Sequence, residues 1–189
     1  ILIEPPHHVM PARFEETLFG LMVGGLVPIV THPERLSWIR SQYAMLERLV
    51  GHGVWMQITA GSMTGKFGQS ALDWSTRMLD DGLVHIVASD AHDMARRRPD
   101  LREGYEAVAR RVGEEEASAL LVIRPRGVIA DLPPDELPRP ARGRSGGHSA
   151  GERAEAGSRL GVGREKIGTS TGLSGTVRGL GRRLRRLIE

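Results

Sequence analysis

In residues 84–92, VHIVASDAH, a short apolar run rich in β-branched side chains ends at Ser89 and is followed at once by Asp90 and His92. The run has the pattern of a buried strand. In folds with parallel strands the carboxyl ends of the strands line the ligand crevice or barrel mouth. A carboxylate and an imidazole two residues apart at such an end can converge on one metal ion. The plainer alternative is that Asp90 caps the next helix and His92 lies on the surface. Two more strand ends carry metal-competent groups: Glu4 closes ILIE ahead of Pro5 and Pro6, and His32 follows VPIVT and precedes Pro33. Most glutamates are simply solvated, and a histidine leaving a buried strand is more often structural, so neither decides anything alone.

Anion-binding groups lie close by in sequence. Arg35, three residues after His32, is a forked donor suited to phosphate or carboxylate, or else to a salt bridge with Glu34 or a neighbouring acid. Arg96, Arg97 and Arg98 form a cationic run just after His92. Ser62 sits in an Ala-Gly-Ser turn whose N–H groups and hydroxyl suit an anion. No Gly-x-Ser-x-Gly elbow surrounds it, which argues against a serine nucleophile.

The elements that would carry these residues alternate. Strands are expected over residues 1–4, 27–31, 54–59 and 84–89. Helices are expected over about 11–24, 37–50, 69–81, 101–112 and 114–122, each showing helical spacing of apolar residues or a Gly stop. Four strand–helix alternations predict an α/β fold with a parallel sheet and right-handed crossovers. Loops on one rim then share a mouth, so Glu4, His32, the Gly61-Ser62 turn, Asp90 and His92 are expected together. After Pro125 the organisation weakens. Residues 132–140 hold four prolines and read as a linker. Residues 141–178, rich in Gly, Ser, Arg and Ala, read as disordered. Residues 180–188 read as a frayed tail, with a short basic amphipathic helix on an anionic surface as the alternative.

Composition narrows the chemistry. There is no cysteine, which excludes disulfides, thiolate metal sites and a cysteine nucleophile, and fits a reducing, cytoplasmic compartment. No apolar run approaches the length of a membrane span. Residues 1–138 hold 14 of the 26 Lys/Arg and 19 of the 23 Asp/Glu, so the overall charge of +3 belongs to the basic tail and gives no reason to expect nucleic acid. The sequence opens on Ile1 inside a strand, as expected of a fragment, a processed chain or an incomplete gene model.

The ordered motifs ILIE, HPER, the AGS turn with its following Gly-x-Phe-Gly (Gly65 to Gly68), VHIVASDAH and RRPDL resemble the bacterial capsule-type protein-tyrosine phosphatases, which belong to the polymerase-and-histidinol-phosphatase superfamily. The resemblance spans residues 1–132. It implies the C-terminal portion of a distorted (β/α)7 barrel, followed by a linker and basic tail over residues 133–189. It also implies a centre of up to three metal ions, usually Mn2+, with Glu4 as a bridging ligand and His32, Asp90 and His92 as further ligands. Arg35 and Arg97 would hold the substrate phosphate. The implied substrate is a phosphotyrosine protein, the tyrosine kinase that governs exopolysaccharide and capsule assembly.

The chain departs from that family at its start. The Asp-x-His-x-His strand that supplies the first ligands does not occur here. His7 and His8 follow two prolines with no strand to aim them, and are not expected to replace it. Four strands cannot close a seven-stranded barrel, and the half that remains should leave an exposed sheet edge. Weak activity or none is therefore expected of the chain itself. Two alternatives stay open: a small-molecule phosphatase of the same superfamily, of histidinol-phosphate type, and an inactive fragment acting as an interaction module.

Overall fold

The structure is a computed structural model and describes residues 1–95 and 98–143. Arg96, Arg97 and the tail from residue 144 onward, including the expected amphipathic helix over 180–188, lie outside the described residues.

The expected alternation is present. The strands are β1 (Leu2–Ile3), β2 (Ile29–Thr31), β3 (Trp55–Thr59) and β4 (Ile86–Ala88), and they form one parallel sheet in the order β1-β2-β3-β4. The register pairs Ile3 with Val30, Val30 with Met56, and Ile58 with Val87. Helices α1 (Phe14–Val23), α2 (Ile39–Gly51) and α4 (Gln69–Asp80) make the crossovers, and a four-residue helix α3 (Ala60–Met63) follows β3 directly.

Side chains alternate along each strand, so the two faces bury different sets. Val30, Met56, Ile58 and Val87 face the helices and join Leu18 of α1, Leu46 and Leu49 of α2 and Met78 of α4 in the main core. Ile29, Trp55 and Ile86 face the other way and pack with Leu137. Burial on both faces explains why these strands read as nearly continuous apolar runs. The edge expected at the start of the sheet is present, with Leu2 64% exposed.

Two stretches differ from expectation. After α5 (Arg102–Val112), instead of one helix over 114–122 followed by decay, α6 (Glu114–Ser118) runs through a π-helical segment (Ala119–Ile123) into α7 (Arg124–Ile129). The Arg124 N–H returns to the carbonyl of Ala119, five residues back. Widening the turn there relieves the clash that the Pro125 ring would make with a preceding carbonyl in a regular helix. The proline-rich stretch expected to be a linker instead packs on the sheet, because Leu137 is buried against Ile29, Trp55 and Ile86. Gly127 permits that contact, since a Cβ there would meet the Leu137 side chain at 2.5 Å.

Candidate metal and phosphate site

The carboxyl ends of the strands carry the titratable groups. His32 follows β2 directly, with its backbone in the left-handed region at φ 37°. Its N–H donates to the carbonyl of Gln57 at 2.7 Å, so the turn is stitched to β3 as it leaves the sheet. The ring is buried, and Nε2 lies 3.2 Å from Oε1 of Glu4, the residue just after β1. Burial first, and then the Arg35 guanidinium, hold the imidazole below its ordinary pKa, while Glu4 and Asp90 oppose them. A neutral imidazole is the form that ligates metal.

Asp90 stands two residues beyond β4, also left-handed, at φ 52°. Positive φ is tolerated by Asp more readily than by most residues, and clusters of such backbones mark functional rims. The carboxylate accepts a hydrogen bond from Arg35 Nη1 at 3.0 Å. Arg35 lies in a single 3-10 turn, Pro33–Arg35, after β2, so this pair spans the end of the intervening β3. The salt bridge expected as the plain role of Arg35 therefore exists, with Asp90 as its partner. His92 is exposed, and its Nδ1 lies 2.8 Å from the Asp90 carbonyl oxygen. Glu4 and His32 form one pair, Arg35 and Asp90 another, and His92 adjoins the second. All five sit at the same end of the sheet.

Phe67 supports the arginine. The Arg35 guanidinium carbon lies 4.3 Å from the centre of its ring, a cation–π contact. The ring approaches so closely that a Cβ on Gly61 would meet Phe67 Cε2 at 2.7 Å. This gives the glycine of the Ala-Gly-Ser turn a steric role. A cavity of about 270 Å³ lies beside the pair, lined by His7, Arg35, Ser37 and Phe67 among others.

Ser62 is not available to an anion. It is fully buried, and its hydroxyl donates to Glu34 Oε1 at 2.7 Å. Glu34 also accepts the Thr59 N–H at 3.0 Å, and its other oxygen has no partner. Burial pushes this carboxyl up to about 7, against the Ser62 and Thr59 hydrogen bonds and Arg35. From its place in HPER, Glu34 is expected only as a partner for Arg35. Nothing in HPER announces a buried carboxyl, because its burial is created by α4, Thr59 and Ser62 arriving from elsewhere in the chain.

His7 was also not expected at the site. The backbone after the two prolines is held from α2's approach: the His7 carbonyl accepts both the Ser37 N–H at 2.9 Å and the Ser37 hydroxyl at 3.0 Å. Trp38 Nε1 donates to the Pro6 carbonyl at 3.1 Å. The His7 ring consequently stands edge-to-face with His32, centroids 4.9 Å apart. One donor atom from each of Glu4, His7 and His32 lies within 4.8 Å of the others. Carboxylate oxygens and imidazole nitrogens, one imidazole neutral by burial, are a donor set that fits a divalent ion.

Comparison with known proteins adds independent observations. The chain is 36% identical over 115 residues to the tyrosine-protein phosphatase YwqE of Bacillus subtilis (strain 168), covering 61% of this chain and 45% of that protein. It is 28% identical over 135 residues to the tyrosine-protein phosphatase CpsB of Streptococcus pneumoniae, covering 69% and 56%. A crystal structure from work on these two proteins, described as unique metal-dependent tyrosine phosphatases, superposes with a TM-score of 0.63 at 29% identity. That match covers 75% of this chain and 57% of the other. The chain spans about half the length of the curated relatives it matches. Residues 1–130 match the family described as capsular polysaccharide synthesis, CpsB/CapC. With the motifs, the parallel sheet and the shared rim in agreement, this chain belongs to the CpsB/CapC family.

Proposed function

We propose that the protein contributes to metal-dependent hydrolysis of phosphotyrosine on a protein substrate. The carrying observation is that Glu4, His32, Arg35 and Asp90 meet at one end of the sheet through contacts of 3.2 and 3.0 Å. In this reading Glu4, His32, Asp90 and His92 hold divalent ions, Mn2+ in up to three positions, within a domain over residues 1–132. Its four strands form part of a (β/α)7 barrel, and the stretch around Leu137 packs on them. The substrate is a tyrosine kinase of capsule or exopolysaccharide assembly, met in the cytoplasm, where ATP makes phosphotyrosine available.

A divalent ion, when bound, lowers the pKa of water enough to supply a nucleophile near neutral pH. The chain's own residues bind and orient the ester. Arg35 is already aimed at a carboxylate oxygen of Asp90 and supported from behind by Phe67, so it can exchange that anion for the phosphoryl oxygens. There, with Arg97, it offsets the charge spread over the equatorial oxygens. Water adds to phosphorus as the P–O bond to the tyrosine oxygen breaks, releasing phosphate and the tyrosine hydroxyl. Phenolate is a fair leaving group, which lessens the need for a dedicated general acid. The chain contains no cysteine, in keeping with a route that has no phosphocysteine.

The test is hydrolysis of a phosphotyrosine peptide by the full chain with Mn2+, with chelator, and with Mn2+ restored. The weak activity expected of this chain should vanish and return, and none under any of the three conditions would remove the reading for the chain itself. Activity that persists without metal removes the reading, and a preference for histidinol phosphate over the peptide replaces its substrate.

A further inference from the structure

We propose that His7 is a metal ligand, and that Glu4, His7 and His32 together bind one divalent ion without help from any other strand. The proposal shares Glu4 and His32 with the phosphatase reading, but it rests on His7, which that reading does not use.

Three observations carry it. The backbone of His7 is fixed: its carbonyl is gripped twice by Ser37, and the preceding carbonyl is held by Trp38. The chain between β1 and α1 is therefore anchored at this position although no strand continues through it. The ring is half-buried and stands edge-on to the buried His32 ring, with one donor atom each from His7, His32 and Glu4 within 4.8 Å of one another. Ligands about 2.1 Å from a zinc-like ion lie roughly 3.4 Å apart in a tetrahedral arrangement, so modest side-chain rotation closes the triad. Finally, this is the single His/Glu/Asp grouping of its kind among the described residues. Packing of two imidazoles would need no carboxylate, and a Glu4–His32 ion pair would need no second imidazole.

The donor set also selects among metals. Two imidazoles and one carboxylate suit zinc and cobalt better than magnesium or calcium, which favour oxygen. Open positions remain on the solvent side, where Glu4 is exposed. Binding should strengthen in the order Mn2+, Co2+, Zn2+. His8 provides an internal control, because it is adjacent, exposed and outside the triad, with its ring 6.3 Å from that of His7.

The experiment titrates the full chain, stripped of metal, with Co2+ followed by visible absorption and with Zn2+ followed by calorimetry. The unaltered chain should take up Co2+ with a ligand-field band. His7→Ala should weaken affinity at least about 10-fold and change that band while leaving the melting curve of the metal-free chain in place. His8→Ala should bind as the unaltered chain does. Equal affinity and spectrum in His7→Ala, an equal loss in His8→Ala, or no uptake by the unaltered chain would each overturn the proposal. Failure of the phosphatase reading is distinguishable, because it would leave His7-dependent metal uptake intact without peptide hydrolysis.

Discussion

Two buried ionisable side chains, one at each end of the parallel strands, are treated very differently. At the amino end, Arg124 is fully buried and every branch of its guanidinium is used. Nε donates to the Pro138 carbonyl, Nη1 to the His85 carbonyl, and Nη2 to Glu116 and the Arg139 carbonyl. At the carboxyl end, Glu34 is equally buried but incompletely satisfied. The three buried side-chain polar atoms without a partner among the described residues are His32 Nδ1, Glu34 Oε2 and Thr59 Oγ1, all at that rim. His32 and Asp90 add left-handed backbones there. An unpaired buried polar atom is costly, and proteins tolerate such local inconsistency mostly where something other than stability is selected. The amino end is built to hold the fold, and the carboxyl end to hold something else.

The sharpest way to break this contrast is Arg124→Ala. It strands Glu116 in the interior and frees the segment that carries Leu137, so the expected loss is about 3–5 kcal/mol. Urea denaturation measures it. A loss below about 1 kcal/mol would mean that the network is not structural.

The next effect is acid sensitivity at His85. This ring is stacked on Trp55, accepts the Met56 N–H at 3.2 Å and has its pKa lowered to about 3, by burial first and by Arg124 second. Above the unfolded value of about 6.5 the imidazole is neutral in both states. Below it the unfolded chain takes up a proton that the folded chain refuses, so stability falls as pH drops from about 6.5 towards 3, by up to about 4 kcal/mol. His85→Asn keeps an acceptor for Met56 and removes the titration. Its stability measured across that window should fall less steeply than that of the unaltered chain. Parallel slopes would refute the assignment.

Glu34 should show the opposite sign with a smaller amplitude. Its folded carboxyl titrates at about 7 against an ordinary value of 4.5. Between those values the unfolded chain loses a proton that the folded chain keeps, so stability falls as pH rises through the window, by up to about 3 kcal/mol. Glu34→Gln should therefore gain on the unaltered chain in thermal melts as pH goes from 4.5 to 7. No pH-dependent gain would mean that Glu34 is charged and paired in the fold.

These groups also mark the limit of what was legible in the sequence. The strand–helix alternation, the parallel sheet and the shared rim followed from β-branched runs, glycine stops and polar strand ends, because strands buried on both faces read as nearly continuous apolar runs. Glu4, His32, Arg35 and Asp90 could be read from their places just past those runs. His7 could not, because Ser37 and Trp38, some thirty residues away in sequence, aim it. The burial of Glu34 depends on α4 packing against the 3-10 turn and on Thr59 and Ser62 meeting its carboxyl. The path of residues 119–139 depends on a π turn that accommodates Pro125 and on Leu137 finding the sheet. In each case the missing information was a tertiary contact, with no local pattern to announce it.

The last comparison sets one residue type against itself. Arg35 and Arg124 are both paired with acids, but the Arg35–Asp90 side chains are each about one-fifth exposed, and Arg35 rests on Phe67 where Arg124 is locked among carbonyls. Lysine keeps the charge at either position and loses the fork. At Arg124 that leaves buried carbonyls unpaired, whereas at Arg35 solvent can replace the lost contact, so Arg35→Lys should change stability by less than about 1 kcal/mol. Phosphoryl recognition needs the planar pair of donors, so kcat/KM for a phosphotyrosine peptide should fall at least about 10-fold. Both quantities are read on the same preparation, one by urea titration and one by phosphate release. A variant that unfolds easily would make Arg35 a second structural arginine, and one that keeps full activity would remove it from the phosphate site.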